Sequence, residues 1–250
     1  MKGELMFSAR MNAKIVGTGI AAALALSASA AMAGVVVKSS GPSAATYPVG
    51  KKVSDTATIT LKAGDSITVL TAKGTRVMKG AGTFKVGDQP KATRGRFAAL
   101  TRKRAARRVR TGAVRGGPAG AMEAKATNPN LWYVDVSQSG KRCVFDLNTV
   151  RLWRPVKEGI ATYRVIDTAS ESSIDVTFDD GESVAALDPA RLTVVADTEY
   201  TFAGPEGTDV ATVTFTKLAD DWTGAEDLAN KLVEAGCMTQ VDQMADRLGG

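Results

Sequence analysis

Short runs of β-branched and apolar residues, each ended by a turn bearing Gly or Asp, recur along most of this chain and constrain its fold more than any other feature. Residues 35–37, 57–61, 66–70, 75–78 and 83–86 are such runs, punctuated by Ala63-Gly64-Asp65, Lys73-Gly74 and Gly80-Ala81-Gly82. Period-two alternation puts one set of side chains on one face of an extended strand, and Gly and Asp supply the turns between strands. The pattern returns at 131–136, 141–145, 150–153, 161–166, 173–178, 191–195, 198–202 and 210–216. Spacings of roughly 8–12 residues suit an all-β sandwich or barrel. Asp179-Asp180-Gly181-Glu182 is expected to turn a hairpin between Val176–Phe178 and Ser183–Val184.

From Thr223 the period becomes helical. Thr223 is expected as an N-cap, with Glu226 completing a capping box, and Asp220-Asp221 are expected to favour that helix terminus electrostatically. Leu228, Ala229, Leu232 and Val233 make an apolar face, and Gly236 suits the position just past the helix end. Val241, Met244, Ala245 and Leu248 mark a second helix. The expected fold class is mainly β: two antiparallel sandwich or roll modules, a basic connecting segment and a C-terminal helical hairpin.

The N-terminus reads as a secretory signal peptide over residues 1–33. Lys2, Arg10 and Lys14 give a positive start, Ile15–Ala30 is apolar, and Ala31-Met32-Ala33 offers a small-x-small cut after Ala33. Met1, Met6 and Met11 all serve as possible starts. The expected location is periplasmic or secreted. Neither a lipidation cysteine nor adjacent arginines accompany the cleavage region.

Residues 34–250 suffice for one large or two small domains. The expected division is a small β domain at 34–88, a flexible Arg-rich segment at 89–130, and a β domain with terminal helices at 131–250. The two β modules could also merge into one domain, with the segment as an external loop. The two cysteines, Cys143 and Cys237, are expected to form one structural disulfide. Histidine is absent, which removes His-based general-base and nucleophile systems and the commonest transition-metal ligand. No phosphate loop or G-x-S-x-G motif occurs, so no catalytic residue, metal or cofactor is expected.

Charge is unevenly spread. The net +6 of the chain resolves into +2 for residues 1–33, +10 for residues 89–122 and −6 for the rest. The +10 comes from Lys91, Arg94, Arg96, Arg102, Lys103, Arg104, Arg107, Arg108, Arg110 and Arg115. A helix is expected over Arg94–Arg110 with a thin stripe of Phe97, Leu100, Ala105 and Val109, ended by the glycines between Gly112 and Gly120. Asn128-Pro129-Asn130 is expected to turn the chain out of the segment.

The run Ala63-Gly64-Asp65-Ser66-Ile67-Thr68-Val69, then Lys73-Gly74-Thr75, then Gly80-Ala81-Gly82-Thr83-Phe84, resembles FecR-type envelope domains. The likeness covers residues 34–88. It implies an exported β-sandwich or β-roll used in signalling or envelope scaffolding, and it carries no catalytic residues.

Guanidinium forks match phosphate and carboxylate groups, so Arg102, Lys103, Arg104, Arg107, Arg108 and Arg110 are the candidate contacts for an anionic partner. The partner is expected to be an envelope protein, an anionic lipid or a glycan; nucleic acid is disfavoured by export. Phe97 and Leu100 are candidates for shallow, peripheral membrane contact. The bland alternative is a solvated linker. Trp132, Trp153 and Trp222 are candidates for sugar stacking, against the commoner core role. Asp179–Glu182 lacks the alternating oxygen spacing of a calcium loop. The leading expectation is a non-enzymatic binding or scaffolding protein. The alternatives are a carboxylate-based hydrolase acting on an envelope polymer and a self-assembling subunit whose edge strands pair between copies.

Overall fold

The computed structural model of the protein describes residues 32–88, 91–103, 126–207 and 209–249. The expected signal peptide as far as Ala31 lies outside the described residues, as do Arg104, Arg107, Arg108, Arg110 and Arg115.

The N-terminal strands are β1 (Met32–Ser40), β2 (Lys52–Ser54), β3 (Thr58–Leu61), β4 (Ser66–Thr71), β5 (Gly74–Lys79) and β6 (Gly82–Lys85). They make a four-stranded sheet, β2-β1-β4-β5, and a two-stranded pair, β3-β6. Every pairing is antiparallel. Val36, Ile67, Val69 and Met78 of the sheet pack on Ile59 and Leu61 of β3, which gives this module its core. Val35, Val37 and Leu70 belong to a second core on the opposite face. The unbroken run Val35-Val36-Val37 thus reflects a strand covered on both sides. Gly34 allows the close approach of β1 to β4, because a Cβ there would lie 2.8 Å from the Leu70 carbonyl oxygen. Asp65 is buried in the β3–β4 turn and accepts the backbone N–H groups of Ser43 at 2.9 Å and Lys62 at 2.6 Å. It ties the 41–47 loop to that turn.

After α1 (Arg94–Leu100) come β7 (Tyr133–Asp135), β8 (Gly140–Val144), β9 (Arg151–Trp153), β10 (Ala161–Asp167), β11 (Ser173–Phe178), β12 (Val184–Ala186), β13 (Glu199–Ala203) and β14 (Asp209–Lys217). A five-stranded sheet, β11-β10-β13-β14-β8, faces a three-stranded one, β12-β9-β7. Val134, Leu152, Val165, Phe178, Tyr200, Phe202, Val213 and Phe215 are among the residues of the core they form. Two pairings, β14 with β8 and β7 with β9, are parallel.

Two expectations are corrected here. Asp179–Glu182 is a turn, but it does not close a hairpin: β11 pairs with β10, whereas β12 pairs with β9 in the other sheet. Arg154 is the physical reason. Its side chain is buried, and its guanidinium donates to the carbonyls of Glu182 (2.8 Å), Lys157 (2.9 Å), Gly159 (2.7 Å) and Asp179 (3.0 Å). Those bonds draw the chain across from one sheet to the other. Residues 191–195 form no strand, although Leu192 and Val194 are buried as the alternation predicts. Arg191 and Leu192 donate their backbone N–H groups to the Asp188 carbonyl, and Val195 donates to the Tyr200 hydroxyl, so no ladder forms.

Helices α2 (Ala225–Glu234) and α3 (Met238–Gly249) cover β1, β4 and β8. The helix N-cap is Gly224, not Thr223, and it makes no side-chain cap bond. Asp227, not Glu226, reaches back, accepting the backbone N–H of Thr223 at 2.9 Å. Asp220 and Asp221, just before this helix, pair with Lys103 and Lys231. At the other end Gly236 has φ of 78°, its N–H donates to Val233, and Cys237 donates to Leu232. This pair of bonds is a Schellman cap, which needs the left-handed backbone that glycine adopts without strain. The Cys143–Cys237 disulfide is present, with Cα atoms 5.8 Å apart.

The helical pair belongs to both β modules. Its core joins Val35, Val37 and Leu70 from the first to Leu131, Trp132, Cys143 and Leu218 from the second, with Leu228, Leu232, Val241, Met244 and Leu248 between them. The described residues from Met32 onward accordingly make one compact unit. Gln240 fastens α3 to the free edge of β8. Its side-chain oxygen accepts the Cys143 N–H at 2.7 Å, and its amide donates to the carbonyls of Cys143 and Leu131, each at 2.9 Å.

Candidate functional site: the base of the basic segment

The start of the arginine-rich segment is fixed by packing. Leu100 of α1 is buried, and Phe97 packs half-buried against the same helical core. Neither is displayed for shallow membrane insertion, which corrects that expectation. The stripe is thin, but seven residues need bury only these two side chains to dock. Thr101 ends the helix by donating its hydroxyl to the Phe97 carbonyl at 2.9 Å. The described part of the expected long helix stops there; its continuation to Arg110 lies outside the described residues.

The return of the chain is pinned at the same place. Leu131 N–H donates to the Leu100 carbonyl at 2.9 Å, Trp132 Nε1 to the Thr101 carbonyl at 3.1 Å, and Asn130 Nδ2 to the Arg102 carbonyl at 2.9 Å. The Asn130 side-chain oxygen accepts the Trp132 N–H at 2.9 Å. From α3, Gln243 and Arg247 donate to the carbonyls of Asn128, Asn130 and Thr127. The described chain on either side of residues 104–125, at 100–102 and 130–132, therefore meets at one braced point. The asparagines of Asn128-Pro129-Asn130 do more than turn the chain: Asn130 joins the returning segment to Arg102, and Asn128 braces the returning segment by donating to the Tyr133 carbonyl and accepting the Asn130 N–H.

Around the neck lies a shallow depression of about 280 Å³, open mouth included. Arg102, Lys103 and Arg151 line it together with Trp132, Tyr133 and Phe145, and Asn130 and Thr149 complete it. Among the described residues, no Asp or Glu is in the lining. Tyr133 and Arg151 are neighbours in the parallel β7–β9 register, so they share a sheet face while Val134 and Leu152 point into the core. Of the three cations, Lys103 is already engaged: it pairs with Asp220 and lies 4.8 Å from the Phe145 ring centre and 4.9 Å from that of Trp222. Arg102 is exposed, Arg151 is half-buried, and neither has a carboxylate partner among the described residues.

Of the six residues expected to touch an anionic partner, the structure brings Arg102 and Lys103 to this depression, and the other four lie outside the described residues. Arg151 was not singled out by sequence. Its only signal was a charged residue at the start of an otherwise apolar strand. The tryptophans do not form a sugar platform. Trp132 is buried and packs edge-on against Phe145, with ring centres 5.4 Å apart, and Trp222 tilts against it at 5.1 Å. Trp153 is buried apart from both, at the β9–β12 pairing.

Two buried arginines also escaped sequence reading, and both are structural. Arg154 is neutralised by carbonyls, as above, and lies 5.3 Å from the Phe178 ring centre. Arg142 on β8 donates to Gln138, and burial lowers its pKa from the ordinary value, with Asp135 opposing that shift. Among the described residues no cluster of acidic or sulfur ligands could hold a metal ion. No helix among them is long and apolar enough to cross a membrane. What the fold and site define is two β modules bridged by a helical pair that a disulfide ties to the second of them, carrying a basic and aromatic depression at a braced neck. No protein-family model, curated protein or solved structure matches this chain.

Proposed function

We propose that the protein is an exported, non-enzymatic binding or scaffolding component of the cell envelope, and that its arginine-rich segment holds an anionic partner. The observation that carries this reading is the neck. The described residues that flank the stretch bearing Arg104, Arg107, Arg108, Arg110 and Arg115 are bonded to each other at one point, in the depression that Arg102 and Arg151 line. A passive linker between two modules has no need of such bracing, and here the modules are already joined by α2 and α3. The rest of the residues from 34 onward carries −6, so the basic segment is a local attractor on an acidic body. The N-terminal signal pattern and the FecR-type likeness of residues 34–88 support an envelope setting.

The test is co-sedimentation of the 34–250 chain with an envelope preparation at low and high salt. A second chain replaces Arg104, Arg107, Arg108, Arg110 and Arg115 by Gln. Electrostatic contact predicts association that weakens with salt, because the screening length falls from ~30 Å at 0.01 M to ~3 Å at 1 M. It also predicts that the substituted chain stays in the supernatant. Equal sedimentation of both chains overturns the reading.

A further inference from the structure

We propose that the depression at the neck is a binding pocket for a phosphate monoester, held between the guanidinium groups of Arg102 and Arg151. The inference rests on the anionic-partner reading above and adds to it a defined pocket and a ligand class.

Three observations lead to it. Among the described residues, the lining has cations and aromatic rings but no carboxylate. Two nearby acids meet lining residues: Asp220 is taken up by Lys103, and the Asp146 carboxylate accepts the Asn148 N–H at 3.0 Å beside Thr149. Arg102 and Arg151 thus both line one depression, and neither is ion-paired with a described carboxylate, which favours an anion there. Their placement is also fixed. The Arg102 backbone is held by Asn130, and Arg151 is held in register beside Tyr133. Both side chains therefore project from a backbone that the fold holds in place.

The choice of phosphate follows from counting oxygens. A carboxylate has two, and one guanidinium fork satisfies both. A phosphate monoester has three terminal oxygens and up to two charges, so it can engage two forks at once. Thr149 adds a hydroxyl whose bond to the Asp146 carbonyl, at 3.5 Å, is long and easily exchanged. Tyr133 and Phe145 offer an apolar wall for the organic part of the ester. The depression is shallow, so it suits a terminal phosphate group better than a diester buried within a chain.

The experiment follows the arginine Nε–H signals of the 34–250 chain by NMR during titration with inorganic phosphate and with glycerol 3-phosphate. Flotation with phosphatidylcholine vesicles containing phosphatidic acid or phosphatidylglycerol runs beside it. The expected result is a shift confined to Arg102 and Arg151. Arg102→Gln and Arg151→Gln should each weaken binding about tenfold, as loss of one charge-assisted fork implies. Arg151→Lys should fall between, since charge is kept and the fork is lost. Near-UV circular dichroism of each variant establishes that the tryptophan cluster is intact. Vesicle binding that favours phosphatidic acid places the monoester on a lipid, and a response to the soluble esters alone places it on a small molecule or polymer end; both support the pocket. Equal binding to phosphatidic acid and phosphatidylglycerol, or full binding by both Gln variants, overturns it. So does loss of binding only in the chain neutralised at Arg104, Arg107, Arg108, Arg110 and Arg115, a result that leaves the wider anionic-partner reading standing. Conversely, envelope association that ignores the segment while phosphate still shifts Arg102 and Arg151 removes that wider reading and keeps the pocket.

Discussion

Replacing Gln240 by Met tests how the helical pair is joined to the second sandwich. Gln240 is 2% exposed, and its amide meets three backbone groups: Cys143 N–H, Cys143 C=O and Leu131 C=O. Methionine has nearly the same length and volume, so packing is largely kept and the lost hydrogen bonds dominate. A buried backbone group left without a partner costs about 1–3 kcal/mol, with the N–H at the upper end because it has only one bond to make. Counting one N–H in full and two carbonyls in part gives a loss of about 3 kcal/mol. For a chain of this size that corresponds to a fall in Tm of about 6–12 °C. The assay is urea unfolding followed by tryptophan fluorescence, with calorimetry for Tm, on the disulfide-intact protein. Gln240→Glu adds a directional check. Ionised, it keeps an acceptor for Cys143 N–H but sets negative charge against two carbonyls; protonated, it regains one donor. Its deficit relative to the parent should therefore shrink as pH falls. If Gln240→Met unfolds within about 0.5 kcal/mol of the parent, the level of an ordinary surface substitution, the edge-capping argument is wrong.

Other outcomes follow from the same structure. Changing Cys143 and Cys237 to Ala removes a cross-link spanning a sequence separation of 94 and should cost about 4–5 kcal/mol by chain entropy, read as the drop in unfolding free energy. Arg154→Met should cost about 2–4 kcal/mol by stranding the carbonyls of Lys157, Gly159, Asp179 and Glu182, and limited proteolysis should then cut first within 155–160. Glu171 has φ of 58°, so Glu171→Gly should raise stability by about 1 kcal/mol in a denaturant titration. The pH dependence has two arms. Backbone hydrogen bonds from Asn148 and Ala169 hold Asp146 and Asp167 below their ordinary value of 3.8. Such groups stabilise the fold above that value and stop doing so as pH falls through their folded pKa, so stability should drop below about pH 4. Burial, then the nearby Asp55, raises Glu226 above 4.5; its stabilising contribution is greatest in acid and is lost as pH rises through its folded value. Glu226→Gln should flatten the denaturation midpoint against pH above 4.5 while leaving the acid arm in place.

Most strands were legible because their residues carry their own pattern. In β11, Ile174, Val176 and Phe178 are buried and alternate with exposed Ser173, Asp175 and Thr177, as period-two reading requires. The same holds for Gly236 and for Val241, Met244, Ala245 and Leu248, whose spacing declares a helix end and a helix face. The pairing of Cys143 with Cys237 needed only that two cysteines were present. Partner choice was not legible. Nothing local in Asp179–Glu182 states that the chain crosses between sheets, since that is settled by Arg154 collecting carbonyls from four separate residues. Residues 191–195 alternate correctly and bury Leu192 and Val194, yet the N–H groups of Arg191 and Leu192 go to the Asp188 carbonyl and that of Val195 to the Tyr200 hydroxyl rather than to a ladder.

The candidate site divides in the same way. The sequence alone determined that positive charge is concentrated between Lys91 and Arg115, because charge is a sum over residues and needs no coordinates. It also determined strand periodicity, the helical end of the chain and the absence of histidine. Only the tertiary structure decided that both ends of the segment meet at one neck, that Lys103 is spent on Asp220 and two rings, and that Arg151 stands beside Arg102. Arg102 and Arg151 are separated by 49 positions in sequence, and they share a depression only because Asn130 and the β7–β9 register bring their backbones together. Local pattern reports what each residue does to its own stretch of chain, whereas proximity between distant residues arises from the packing of whole elements, which no short stretch encodes.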